Sequence, residues 1–245
     1  MQTDCVLPVV QEILIFYTLL VLFEGKQMDL MALEELAKTN QAKMSIKMKL
    51  TKEKYFVEVL GKKLIILPNV FYPHADTLLL INSAKVKSTD SVLEPFSGTG
   101  AISIFLAEKA SSVVATDINP DAIKNINENI KLHHLENKMK AIQANIFPNK
   151  DTYDIIVANP PYTNNVAKDL AEKAFWDEEH KTTKLFLQEA KKHLTKNGKI
   201  YCSWANFANF DYFEQLVKSN NYKIKQTNEI TKDWAIYRVY KITLK

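Results

Sequence analysis

Asn159-Pro160-Pro161-Tyr162 closes the apolar run Tyr153 to Ala158, and its residue types carry more chemistry than any other stretch of this chain. Two consecutive prolines fix φ twice and remove two backbone donors, so the neighbouring carbonyls stay free to accept. The Asn159 side-chain oxygen and the Pro160 carbonyl can both accept from one planar NH2 group, while the Tyr162 ring stacks on its π-face. An amide or exocyclic amine gripped in this way turns its lone pair toward whatever faces it across the pocket.

The facing side reads from Ser91 onward. Ser91-Val92-Leu93-Glu94 is a short apolar strand ending in an acid, Pro95 to Gly100 a tight loop, and Ala101 to Lys109 a helix. Gly98 and Gly100 are two of only five glycines in the chain. Glycine permits positive φ and lets backbone approach a ligand at a helix N-terminus. Ser103 stands where a dinucleotide fingerprint has its third glycine, which argues against a pyrophosphate cofactor. Val113 to Thr116 forms the next strand, with Asp117 at its tip, placed to bind both hydroxyls of a ribose. Asn119-Pro120 then starts a helix, a cap followed by proline at the first helical position.

With these pieces in register, the chain from about Phe71 to its C-terminus resembles class I S-adenosylmethionine-dependent methyltransferases of the NPPY type. The resemblance implies an α/β fold: a doubly wound, mostly parallel seven-stranded sheet of the Rossmann-like methyltransferase kind, preceded by a small helical piece and a β-hairpin. It implies S-adenosyl-L-methionine as cofactor and S-adenosyl-L-homocysteine as product. The loop Glu94 to Gly100, with Phe96 and Gly98, corresponds to the methionine-binding motif, and Asp117 to the ribose-binding acid. Asn145 takes the position facing the adenine amino group; the family usually has aspartate there, and an asparagine oxygen accepts the same bond. Ile118, Ile146 and Asn159 complete the implied cofactor-binding set. Asn159, Pro160 and Tyr162 take the catalytic positions, with Pro161, Tyr162 and Trp204 toward the substrate.

The segment Val70-Phe71-Tyr72-Pro73-His74-Ala75-Asp76-Thr77, with Leu79 and Leu80, is similar to the pre-motif of release-factor (HemK-type) glutamine methyltransferases. That likeness puts a protein glutamine, on a release factor or ribosomal protein, first among acceptors. Adenine in RNA or DNA comes second and a small metabolite third. A module that only binds cofactor and a partner is disfavoured, because the acceptor motif is intact. No residue is required as a general base, and the histidines lack metal-ligand spacing, so no metal is expected.

Composition sets the frame. At 245 residues the chain can hold one full α/β domain plus a small extra piece, expected as a helical segment 1–42, a hairpin linker 43–70 and a catalytic domain 71–245. Apolar content of 47% excludes a disordered chain. The net charge of +4 is mild, and Arg238 is the only arginine, a composition unlike a surface selected for bidentate phosphate recognition. Cys5 and Cys202 lie far apart in apolar stretches, reading as reduced packing residues of a cytoplasmic protein. Ile13 to Phe23 is apolar but bracketed by Glu12 and Glu24, and falls short of the roughly 18–20 residues that cross a bilayer. It reads as a buried or interface helix, suited to pairing with a second copy of the chain.

The remaining elements follow from periodicity. Val9 to Phe23 and Asp29 to Lys38 read as helices, while Met44, Ile46, Met48 and Leu50 alternate with polar residues as a half-exposed strand would. Tyr55 to Leu60 and Lys63 to Leu67 flank Gly61-Lys62 as a hairpin. The lysine-rich stretch from Lys38 to Lys63 is read as a solvated face ahead of a phosphate-tracking one. Strands near Ser91, Val113, Met139, Tyr153 and Lys199 alternate with helices, with Asn197-Gly198 closing the last long helix. Tyr222 to Gln226 and Trp234 to Thr243 look like a terminal β-pair, and Trp204, Asn206 and Phe207 like the lining of the acceptor entrance.

Overall fold

The computed structural model describes residues 29–148 and 150–245; Cys5 and the apolar run Ile13 to Phe23 lie outside them. Helix α1 spans Leu30–Leu50. Asp29 caps it by accepting from the Ala32 N–H at 2.9 Å, and Lys47 and Lys49 sit in the last turn, where cations offset the helix dipole. The expected strand over Met44 to Leu50 is therefore wrong. Ala37, Met44 and Met48 fall on one inward stripe, and Met48 packs against Ala171, Phe175 and Trp176. Those tertiary contacts outweigh a period of two that four residues happened to show.

The hairpin forms as expected: β1 (Tyr55–Val59) and β2 (Lys62–Ile66) pair antiparallel. Gly61 at φ 79 permits the tight reversal. Then come α2 (Ala75–Ser83), β3 (Ser91–Pro95), α3 (Ala101–Ala107), β4 (Ser112–Asp117), α4 (Pro120–Leu132), β5 (Met139–Gln143), β6 (Tyr153–Ala158), α5 (Lys181–Ala190), β7 (Leu194–Ala205), α6 (Phe210–Ser219), β8 (Tyr222–Lys232) and β9 (Ala235–Leu244).

Seven strands form one sheet in the order β5-β4-β3-β6-β7-β9-β8. The strands from β5 through β7 pair in parallel; β9 runs antiparallel to both β7 and β8. The order reverses between β3 and β6, and in open α/β sheets ligands bind at that switch point, beyond the strand C-terminal ends. Leu93, Ile104, Leu106, Ile126, Ile156 and Phe186 are fully buried in the core that stiffens this end of the sheet. One sequence expectation shifts here. Asn197-Gly198 lies inside β7, where the pairing with β6 changes register, and α5 ends earlier, at Ala190. A Cβ on Gly198 would meet Leu194, Thr195 and Tyr153 at 2.9–3.0 Å, so glycine serves close strand packing there.

The hairpin is clasped to the sheet domain by two buried asparagines of α4. The Ile65 N–H donates to Asn129 Oδ1 and the Leu67 N–H to Asn125 Oδ1, both at 2.7 Å. Asn125 Nδ2 donates back to the Ile65 carbonyl at 2.7 Å, and Asn129 Nδ2 to the Ile65 and Thr99 carbonyls at 3.0 Å. These bonds leave the strap Leu67–His74 running along the switch point.

Candidate active site

One cavity of about 380 Å³ opens at the switch point, within the size range of small-molecule sites. Its walls include Glu94, Phe96, Gly98, Asp117, Ile118, Asn145, Ile146 and Asn159, together with Pro160, Pro161 and Tyr162. Three residues of the sequence-derived set, Gly100, Trp204 and Asn206, are not on its walls. Gly100 sits behind the loop at φ 75 as the N-cap of α3, and a Cβ there would meet Ile126 at 3.2 Å. Trp204 is fully buried, and its indole N–H donates to the Ala208 and Asn209 carbonyls at 2.9 and 3.1 Å. Instead of facing the entrance it backs the Tyr162 ring, at 5.4 Å between centroids. Phe207 does reach the cavity; Asn206 does not.

The loop after β3 is held from within. Ser97 Oγ donates to the Glu94 carbonyl at 2.5 Å, and the Gly100 N–H to the Ser97 carbonyl at 2.7 Å. The buried Glu94 carboxylate accepts the Ser103 N–H at 2.8 Å at the start of α3. Burial nevertheless dominates and pushes Glu94 up to about 8, with the neighbouring Asp117 adding to the rise. Asp117 accepts from the Gly98 N–H and the Asn119 N–H, each at 2.9 Å, which fixes its carboxylate at the tip of β4. Burial raises Asp117 as well, against those two bonds. Capping of α4 falls to Asn119, which accepts from the Asp121 N–H at 3.0 Å. Ile146 holds φ 74, a left-handed conformation that β-branched residues rarely adopt, and the Thr116 hydroxyl donates to its carbonyl at 2.6 Å. Asn145 is exposed on the same wall.

The acceptor wall follows β6. The Asn159 side-chain oxygen accepts from Ser203 Oγ at 2.5 Å, and among the described residues none donates to the Pro160 carbonyl. The Tyr162 hydroxyl donates to the buried Asp76 carboxylate at 2.6 Å. Burial, reinforced by Asp76, pushes this phenol well above its ordinary range, so it stays a donor. Across the cavity, Asn40, Gln41, Lys43 and Met44 of α1 form the far wall. Lys49 ties α1 to the segment after the Pro-Pro turn, pairing with Asp169 and Glu172 at 2.6 Å each. Lys38, Lys54 and Lys62 also meet carboxylates, so with Lys49 half of the lysines in the Lys38 to Lys63 stretch are paired.

Sequence reasoning missed the roles of Asp76, Ser203 and α1. Asp76 lay inside the segment likened to a pre-motif, but its partner is distant in sequence. Ser203 had no signal beyond its place late in a strand.

These features suit S-adenosylmethionine: an oriented carboxylate for a ribose, a glycine loop open to close approach, and an apolar floor at Ile118 and Ile146. Such an arrangement at the switch point of this sheet defines the class of Rossmann-like methyltransferases. Residues 63–238 match the family described as methyltransferase small domain, and the chain belongs to that family.

Several relatives are named for activity. A tRNA1(Val) (adenine(37)-N6)-methyltransferase of Haemophilus influenzae is 33% identical over 171 residues, covering 64% of this chain and 70% of that protein. A release factor glutamine methyltransferase of Aquifex aeolicus is 33% identical over 165 residues, covering 58% and 57%. A Methanocaldococcus jannaschii relative, provisionally named a protein N5-glutamine methyltransferase, is 41% identical over 109 residues. That match covers 43% of this chain, which spans only 54% of the relative's length. Among solved structures, the T. thermophilus 16S rRNA N2 G1207 methyltransferase, in complex with AdoMet and guanosine, superposes with a TM-score of 0.62 at 19% identity. It covers 78% of this chain and 50% of that one, a likeness of fold. Among the described residues no helix is long and apolar enough to cross a membrane.

Proposed function

We propose that this chain is a cytoplasmic S-adenosylmethionine-dependent N-methyltransferase acting on a planar NH2 nitrogen, foremost a protein glutamine side chain. The observation that carries the reading is the acceptor wall: one Asn159 oxygen and one Pro160 carbonyl, to which no described residue donates, beside a Tyr162 ring that Asp76 holds in place. When bound, the cofactor supplies an electrophilic methyl on a positively charged sulfur. Glu94 and Asp117 would hold the rest of that donor, and the acceptor wall would present the nitrogen to the methyl.

An amide or aromatic amine is a weak nucleophile because its lone pair is delocalised. Asn159 and Pro160, accepting from its two hydrogens, favour a tetrahedral nitrogen and stabilise the positive charge that develops there. Tyr162 fixes the plane of the group, and the walls align it with the methyl for in-line transfer. The methylated nitrogen is acidic and loses its proton to solvent, so no strong base is needed. Glu94 and Asp117 act on the other side, holding the donor's amino acid and ribose.

Adenine is the second reading. It is favoured by exposed Lys43 and Lys173 beside the cavity, cations suited to phosphates, while Lys232 there pairs with Asp233 at 3.7 Å. Incubation with methyl-labelled cofactor and, separately, release factor, bulk tRNA and rRNA, DNA and a metabolite extract tests both. Label on release factor that survives nuclease supports the glutamine reading. Nuclease-sensitive label overturns it in favour of adenine, and label on small molecules alone overturns both.

A further inference from the structure

Building on the amine-methylation reading, we infer that Ser203 is a positioning residue that sets the working orientation of the Asn159 carboxamide. Ser203 lies near the end of β7, fully buried, and its backbone is locked opposite Val239 of β9. Its hydroxyl has one described partner, the Asn159 side-chain oxygen at 2.5 Å. Asn159 itself is half-buried on the cavity wall, and a carboxamide rotates readily about its last bond.

The amide oxygen has two lone pairs. With the Ser203 proton on one of them, the oxygen is held at a fixed point on the rigid sheet, and the second lone pair faces the incoming N–H. The two groups also depend on each other, since a buried hydroxyl without its partner is costly. A hydroxyl placed here needs neither to titrate nor to touch substrate. It acts through geometry, and small errors in the placement of a catalytic acceptor lower rate far more than they lower binding.

The test combines kinetics with a readout that needs no acceptor. Ser203→Ala should lower kcat about 10- to 100-fold, the cost of a misplaced acceptor group, while cofactor affinity by calorimetry stays at the wild-type level. Ser203→Thr, which keeps the hydroxyl, should restore most of the turnover. Label transfer would be followed on release factor or bulk tRNA, whichever accepts methyl. In 15N NMR, the Asn159 side-chain NH2 signal should move in Ser203→Ala and return in Ser203→Thr.

Wild-type turnover and an unmoved NH2 signal in Ser203→Ala would overturn the proposal, as would cofactor affinity falling in step with turnover. If Ser203→Ala folds poorly, Ser203→Cys, with a similar volume and a weak donor, should show an intermediate kcat; wild-type kcat there counts against it equally. Asn159→Ala run alongside separates the two ideas. Full transfer in Asn159→Ala defeats the methylation reading, whereas transfer lost there but kept in Ser203→Ala defeats the role of Ser203 alone.

Discussion

The Tyr162 hydroxyl donates to Asp76 at 2.6 Å, joining the acceptor turn after β6 to the first turn of α2, 86 positions away in the chain. The bond holds the aromatic ring from its far end, with Trp204 and Phe207 packed against it at 5.4 and 5.7 Å. Tyr162→Phe keeps the ring but leaves a buried carboxylate short of a donor. Stability should fall by about 1–3 kcal/mol in urea denaturation, the usual cost of stranding a buried polar group. Turnover should fall far less than in Tyr162→Ala, which removes the platform itself; equal losses in the two variants would show that the hydroxyl, not the ring, matters.

Asp117 meets two backbone amides and lies at the tip of β4. Asp117→Asn keeps an accepting oxygen and loses the charge that strengthens those bonds. Cofactor affinity should drop by about 1.5–3 kcal/mol, the range for hydrogen bonds to charged groups, with kcat at saturating cofactor nearly unchanged. Calorimetric titration against steady-state kinetics reads both quantities.

Glu94 makes the fold pH-dependent. Its carboxyl rises from an ordinary 4.5 to about 8 because burial disfavours the charged form. An acid with a raised folded pKa contributes stability below its unfolded value and loses it as pH climbs through the folded value. Cofactor-free protein should therefore lose stability between about pH 4.5 and about pH 8. Asp117 is raised too and adds a slope of the same sign, so the informative curve is wild type minus Glu94→Gln. That difference should slope downward across this window in denaturation series; a flat line would mean the carboxyl titrates normally.

Asn129 bonds the Ile65 N–H, the Ile65 carbonyl and the Thr99 carbonyl, joining hairpin, α4 and glycine loop. Asn129→Ala should destabilise the protein by about 2–3 kcal/mol, since buried backbone groups lose their partners. Urea denaturation measures it, and a change under about 0.5 kcal/mol, typical of surface sites, would mean the clasp is dispensable.

Legibility from sequence tracked the range of each interaction. Strand, loop and cap signals around Glu94, Asp117 and Asn119 depend on neighbours a few residues away, and the sheet places Glu94, Asp117 and Asn159 on one cavity as their spacing implied. The terminal pair expected over Tyr222 to Gln226 and Trp234 to Thr243 was visible for the same reason, although β8 runs on to Lys232. What stayed hidden depends on long-range pairing: Asp76 with Tyr162, Ser203 with Asn159, Asn125 and Asn129 with the hairpin. Helix α1 was cut short because Met44 to Leu50 alternates, while Ala171, Phe175 and Trp176, which its inward stripe covers, lie more than a hundred residues on. Asn197-Gly198 looked like a helix stop and is a strand irregularity, because a turn-forming pair also suits a register shift.

The asparagine clasp has a consequence beyond holding the hairpin. β2 has β1 along one side, and on the other the Asn125 and Asn129 side chains occupy the Ile65 and Leu67 amides that a foreign strand would seek. Leu64-Ile65-Ile66-Leu67 is the kind of greasy, uncharged tract that nucleates fibrous aggregates when its rim lies bare. The amide groups thus insulate the chain against sticking to its own copies, and stripping both should make it clump at temperatures where the sheet beneath is still intact.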